Sequence, residues 1–441
     1  MDSARADALF ARERLAKLGW IPRNAEDFRH LPPPVADVWL GDADDDSETA
    51  REQKCDASPL AGAGWTLHPL GHMPPGRVDA RWLDAADPDQ RAELFAGLAQ
   101  PGEGVDSGDA APFGWAHRAL CRQGLRVRVG GDAGAARHRE TVWLQLRRQP
   151  RSAVEAPLLV IEVAPGVQCV LVESHERIAP SDSHKAGPGC ERALVQNMQL
   201  HLRIGQGASL QHLRVIAPGV DDRIAHHIDA RLAAGARYEQ AMIASGSSYH
   251  LQRTVVDLQG EKAEARSAAV LFAAGSVLEQ QVRVAHAGNS SQSSVEALAL
   301  ADAGARVVVN AHSLIAPGAD EASLRQRLVG IPTGGQPKIV LRPHLEIHHD
   351  KVQAAHGATW GALPEDALFY ACQRGLDESA ARAMIVQGMA HAVLARGLDD
   401  PELLESLGVE ALLERAVADH LAASARMKAI KHEPKPEVQH G

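Results

Sequence analysis

His356, in the stretch Ala355-His356-Gly357-Ala358-Thr359, is the side chain whose type and setting best suit chemistry. A neutral imidazole nitrogen ligates iron or zinc, and the ring exchanges a proton near neutral pH. Just upstream stand His344, His348 and His349 with Asp350, all donors for a metal ion. If Leu345 to His349 is a strand, alternation sets His344 and His348 on one face and His349 on the other. That leaves a same-face pair four residues apart, too far for easy shared ligation, so no metal site of the chain's own is expected. The five cysteines, Cys55, Cys121, Cys169, Cys190 and Cys372, are far apart and form no CxxC pair. This excludes a local cluster or zinc motif and argues against a disulfide framework. Iron or sulfur, if handled, is handled with a partner.

Enzyme constellations compete poorly. There is no G-x-S-x-G elbow, no P-loop lysine and no HExxH. Glu346, Asp350, Glu365 and Asp366 are carboxylates that a β-helical lyase or glycosidase would pair, which is the alternative reading. Yet with 7 Trp and 3 Tyr the chain offers few sugar-stacking surfaces.

The elements that must position His356 change character at that point. Leu345, Ile347 and Val352 sit among polar neighbours like the last strands of a sheet, whereas Leu363-Pro364-Glu365-Asp366 reads as a helix start. Upstream, from Leu125 to Ile347, short β-type segments are each closed by a turn: Leu158 to Val163 before Pro165-Gly166, Leu200 to Ile204 before Gly205, Leu210 to Ile216 before Pro218-Gly219. Gly207, Gly235, Gly260 and Gly288 recur at roughly 25 to 28 residues, the scale of one repeating unit. About two hundred such residues without a long amphipathic helix favour a coil of stacked rungs over a sandwich. Downstream, three helices are expected. The first ends at Gly375; the second is capped by Asp377, with Met384, Ile385, Met389, Ala392 and Val393 on one face; the third runs from Asp400-Pro401 to about Met427.

The N-terminal part opens with a helix ending at Gly19. The acidic run Asp42 to Glu48 reads as a solvated loop, residues 81–100 as helical, and Pro101 to Pro112 as a linker. The expected division is 1–112, mostly helical; 113–355, β; 356–427, helical; and 428–441, a polar tail without packed structure. A net charge of -10 and a pI near 6.1 argue against nucleic acid or an anionic membrane as partner. No apolar run approaches the ~20 residues of a membrane span and no signal peptide is legible, so a cytoplasmic location is expected.

The HGAT stretch, followed by an acidic turn, Phe369-Tyr370 and Arg374-Gly375, resembles the SHGAT signature of the SufB/SufD family of iron–sulfur cluster assembly proteins. Trp20 to Phe28 is similar to that family's N-terminal GLPTRRNEDW segment, with Phe28 in the tryptophan position, and Phe113 to Ala119 resembles the start of its middle region. His286 with Ser291 and Ser294, and Gln326, also fall where the family has such residues. The departures are Ala354, where the family often has cysteine, Ala355 for the loop serine, Gly330-Ile331-Pro332-Thr333 for a leucine-rich run, and Asn310-Ala311, around which the family's phenylalanine-glycine pair is missing.

The resemblance implies a mainly β protein: a right-handed parallel β-helix (β-solenoid) core flanked by N-terminal and C-terminal helical regions. It further implies a non-catalytic, SufD-like subunit that pairs with a SufB-like subunit through the β-helix and docks a SufC-like ATPase through the C-terminal helices. His356 is then the candidate metal or cluster-assembly residue, and Leu368, Phe369, Tyr370, Met384 and Ile385 the candidate ATPase contacts. Alanine at 354 neither accepts sulfur nor binds iron, which points to the SufD side of the family. No cofactor is expected to be held stably by the chain alone; iron or a cluster would be shared transiently with the SufB-like partner. A homodimer through the exposed last rung is the form expected without that partner.

Overall fold

The computed structural model describes residues 3–41, 61–62, 65–70, 76–103, 108–130, 141–148, 150, 152–176, 193–398 and 400–432. The acidic run from Asp42, Cys55, Cys190 and residues 433–441 of the polar tail lie outside them. The chain begins with α1 (Ser3–Leu18) and α2 (Ala36–Leu40), then β1 (Ala61–Gly62), β2 (Trp65–Pro69), β3 (Val78–Asp84), α3 (Pro88–Leu94) and α4 (Ala111–Leu120). Next come β4 (Gln123–Val129), β5 (Val142–Arg148), β6 (Val154–Glu155), β7 (Leu158–Val163), β8 (Gln168–Glu176), β9 (Val195–Ile204), β10 (Ser209–Ala217), β11 (Arg223–Leu232) and β12 (Arg237–Ser245). They continue with β13 (Tyr249–Leu258), β14 (Glu264–Ala273), β15 (Val277–His286), β16 (Gln292–Ala301), β17 (Arg306–Ile315), β18 (Ser323–Pro332), β19 (Lys338–Ile347) and β20 (Gln353–Trp360). The helices α5 (Glu365–Gln373), α6 (Glu378–Leu398), α7 (Pro401–Ser406) and α8 (Val409–His432) follow.

The strands alternate between two sheets, ordered β1-β2-β5-β8-β10-β12-β14-β16-β18-β20 and β19-β17-β15-β13-β11-β9-β7-β4-β3. Beyond the antiparallel pairs made by β1, β2 and β3, neighbours within each sheet are parallel. A chain that crosses to the opposite sheet and returns beside its own previous turn is a coil, here a parallel β-solenoid of about seven turns. Inward side chains such as Leu200, Leu210, Leu232, Val256, Val284 and Val309 fill the space between the sheets. The C-terminal helices pack outside one sheet, burying Val386, Ala390, Val393 and Leu394 against Ala241, Ala268 and Val270. The N-terminal helices cover the other, where Phe28, Trp39 and Phe113 meet Ala225, Leu251 and Val308.

The recurring glycines mark one corner of the coil, and they are of two kinds. A left-handed residue stands there turn after turn: Gly207 (φ 64°), Gly235 (61°), Lys262 (57°), Ser290 (54°) and Glu321 (58°). Each donates its N–H to the next turn, to the carbonyls of Ala234, Glu261, Asn289, Asp320 and Lys351 in that order. Gly260 and Gly288 instead permit close stacking, since a Cβ on Gly288 would lie 2.1 Å from the Gly260 carbonyl oxygen. Gly288→Ala is therefore expected to destabilise the protein by about 1–3 kcal/mol through backbone displacement. The check is a lowered urea midpoint at unchanged m; an unmoved midpoint would show that the corner opens freely.

Several local expectations are corrected. Residues 81–100 begin inside strand β3, recruited by antiparallel pairing with β4, and then hold the short α3, whose N-cap Asp87 accepts from Gln90 N at 2.9 Å. The stretch read as a linker to Pro112 already holds the start of α4 at Ala111. The third C-terminal helix is two, because Gly408 (φ 64°) breaks the chain between α7 and α8. The backbone of α8 continues past Lys428 to His432. On α6 the buried stripe is Val386, Ala390, Val393, Leu394 and Gly397, while Met384 lies outside it, 51% exposed. Asp377 does cap this helix, accepting from Ala380 N at 2.8 Å.

Candidate functional site

Among the described residues the last turn has no successor: in the sheet order β19 and β20 are terminal strands, paired there only with β17 and β18, so each presents an unpaired backbone edge. All eight residues of β20 are exposed. His356 sits in the middle of this strand, and the stretch expected to be a loop, Ala355 to Thr359, is in parallel register with Arg325 to Val329. Its register partner is Gln326, which is buried and donates from Nε2 to Ser313 Oγ (2.9 Å) and to the His344 carbonyl (3.1 Å). Register partners in a parallel sheet share a face. His356 therefore continues the inward row of its sheet at the open end, with Ala354 beside it on the same row.

The upstream histidines are distributed differently from the expectation. β19 stops at Ile347, so His348 and His349 lie beyond the strand. His348 Nε2 is 2.9 Å from Glu346 Oε1, and His349 Nε2 is 2.5 Å from Asp320 Oδ1. The neighbour of His344 is His312, its register partner on β17, the two rings meeting edge to face at 4.6 Å. His286 is buried and uses both ring nitrogens, Nδ1 to Ser291 Oγ (2.9 Å) and Nε2 to Ser293 Oγ (2.8 Å). Ser293, not Ser294, is thus its second partner. Glu365 and Asp366 occupy the first turn of α5, away in the chain from Glu346 on β19.

Of the candidate partner contacts, Phe369 (67% exposed), Tyr370 (59%) and Met384 are apolar surface on α5 and α6, and Leu368 and Ile385 are half-buried. Arg374 stacks on the Tyr370 ring at 4.8 Å.

Sequence reasoning missed a polar cluster in the interior. Glu173 and His175 on β8, His212 and Arg214 on β10, His226 on β11 and His250 and Gln252 on β13 are all buried. Glu173 accepts from His175 Nε2 (2.5 Å), His212 Nε2 (2.9 Å) and Arg214 (3.1 Å), and Arg214 donates to Gln252 Oε1 at 2.8 Å. Burial alone would raise the Glu173 carboxyl, but the Arg214 charge and the two histidine hydrogen bonds outweigh it and hold the group well below the usual carboxylate range. Two cysteines are excluded from thiolate chemistry: burial pushes the thiols of Cys121 and Cys169 up to about 12.

A two-sheet parallel solenoid with an exposed, histidine-bearing last turn and helices on both faces defines a class of β-solenoid proteins. Residues 147–389 match the family profile described as SUF system FeS cluster assembly, SufBD core domain, and the chain belongs to that family of iron–sulfur cluster assembly proteins. It is 23% identical over 252 residues to an iron–sulfur cluster assembly SufBD family protein of Synechocystis sp., covering 56% of this chain and 54% of the relative. It is 24% identical over 222 residues to the iron–sulfur cluster assembly protein SufD of Escherichia coli, covering 49% of each. A SufBD family protein of Mycobacterium leprae is 26% identical over 165 residues, 37% of this chain and 19% of its own length. The chain thus spans about half the length of the first two relatives and less of the third. Among the described residues no helix is long and apolar enough to cross a membrane.

Proposed function

We propose that this chain is a SufD-like, non-catalytic subunit of a SufB/SufC/SufD-type complex, supporting de novo iron–sulfur cluster formation in the cytoplasm. The observation that carries the reading is β20, fully exposed, unpaired along one edge and bearing His356 on the inward row. Unpaired N–H and C=O groups on β19 and β20 suit continuation of both sheets by a SufB-like subunit, or by a second copy when that subunit is absent. His356 would then lie at the junction, where the partner supplies the sulfur ligand that Ala354 lacks. The exposed Phe369, Tyr370 and Met384, flanked by Leu368 and Ile385, suit docking of a SufC-like ATPase on α5 and α6. The buried thiols of Cys121 and Cys169 support the view that no cluster is held by this chain alone.

The test is co-expression and co-purification with SufB-like and SufC-like proteins of the same host, with ATPase activity and cluster content assayed. A stable complex is expected, with His356→Ala lowering cluster yield about tenfold at retained ATPase activity, the scale of losing one metal-site group. Absence of any complex would overturn the reading, as would turnover of a polysaccharide by the isolated chain. A complex whose cluster yield ignores His356→Ala would remove His356 from the junction chemistry.

A further inference from the structure

The outer face of the last turn on the β19 side carries side chains that neither the assembly reading nor the fold requires. His312 and His344 are register partners on β17 and β19, and Glu346 lies two residues beyond His344 on the same face of β19. One ligand atom from each, an imidazole nitrogen from both histidines and a carboxylate oxygen from Glu346, fall within 4.8 Å of one another. His312 Nε2 is buried, 3.4 Å from Glu346 Oε2, and makes no hydrogen bond of good geometry there. A buried ring nitrogen without a proper partner is costly unless something else satisfies it. Glu346 Oε1 is contacted by His348 Nε2 at 2.9 Å, which places a third imidazole at the rim.

We propose that His312, His344 and Glu346 bind a divalent first-row metal ion of the zinc, iron(II) or cobalt type, with His348 or water completing the coordination. Two imidazoles and one carboxylate are a donor set of intermediate hardness that such ions prefer over magnesium or calcium. Closing the group from 4.8 Å to ligand spacing needs side-chain rotation only, because His344 is exposed and Glu346 half-exposed. The two strands hold the histidines side by side, so the rigid part of the site is already assembled. The site stands on the outer face of its sheet, whereas His356 belongs to the inward row of the other sheet, so the two do not share one ion.

The experiment is titration of the full chain, without partners, with zinc or cobalt(II), followed by calorimetry and, for cobalt, by its visible absorption. One equivalent bound in the micromolar range is expected. His344→Ala, His312→Ala and Glu346→Gln should each weaken it by about tenfold or more, and His68→Ala, an exposed histidine on β2, should leave it unchanged. Because His344 is exposed, its replacement does not threaten the fold, and far-ultraviolet circular dichroism checks the His312 variant. Saturation only at millimolar metal, or a His344→Ala titration identical to the parent, would overturn the proposal. Neither outcome bears on the assembly reading, which is measured with the partner subunits.

Discussion

Glu173→Ala is expected to destabilise the protein by about 3–5 kcal/mol, the cost of removing one partner from a buried ion pair. Glu173 is 0% exposed and Arg214 is 1% exposed. Without the carboxylate, Arg214 keeps its charge and retains Gln252 and the His226 ring as neighbours, neither of which offsets a desolvated cation. His175 and His212 each lose the acceptor of an Nε2 hydrogen bond as well. Urea unfolding of the parent and variant measures the loss. Glu173→Gln preserves shape and removes only the charge, so it keeps the test readable if the alanine variant fails to fold. Pairing Glu173→Gln with Arg214→Met should cost less than the sum of the two single changes, because the second change removes the stranded cation. A loss below about 1 kcal/mol for Glu173→Ala would mean that the interior is wet there and the ion pair is screened.

The rungs were legible in sequence because each one carries its own punctuation. Leu158 to Val163 before Pro165-Gly166 and Leu200 to Ile204 before Gly205 are local signals, and the strands lie where those signals put them. β20 was not legible as a strand. Ala354, Ala355, Gly357 and Ala358 have low β propensity, and the segment is extended only because β18 holds it in register. The same limit hid His312: its nearness to His344 is created by parallel pairing across a whole turn, which no window of local sequence contains. The division of the last helix at Gly408 is a local stop, its positive φ and the bond from its N–H to the Glu405 carbonyl closing α7, and the helix formers on both sides mask that signal. In the interior, Glu173, His175, His212 and Arg214 point inward and satisfy one another, which no local pattern of the sequence signals. Their pairing follows from the register of β8 with β10, which again is not a local property. What the resemblance added was the meaning of the HGAT stretch, since small residues around a histidine carry no such message by themselves.

The buried histidines lead to the second large effect, an acid unfolding that begins well above the carboxylate range. Burial lowers His117 and His227 to about 3 and His250, His286 and His420 to about 4, and it also lowers His175, His201, His212 and His226. In the unfolded chain each titrates near ~6.5. Between that value and the folded one, the unfolded state binds a proton that the native state refuses. These groups therefore contribute stability that is fully present above about pH 6.5 and lost as the pH falls toward 4. Each one alters the unfolding equilibrium constant by up to about tenfold per pH unit, and several act together. Glu279 works in the opposite sense: burial pushes it up to about 8, so the native state holds its proton over the same window and offsets one histidine. Glu173, with its depressed carboxyl, adds a further loss only below about pH 4.5, where the unfolded group protonates. The net expectation is a steep fall in urea midpoint from pH 6.5 to 4.5. His420→Gln, which keeps a polar partner for Thr333 Oγ1 (2.8 Å from the His420 ring), should flatten it by about one proton. A midpoint that stays level down to pH 5 would show these rings to be charged in the native protein and would overturn the expectation.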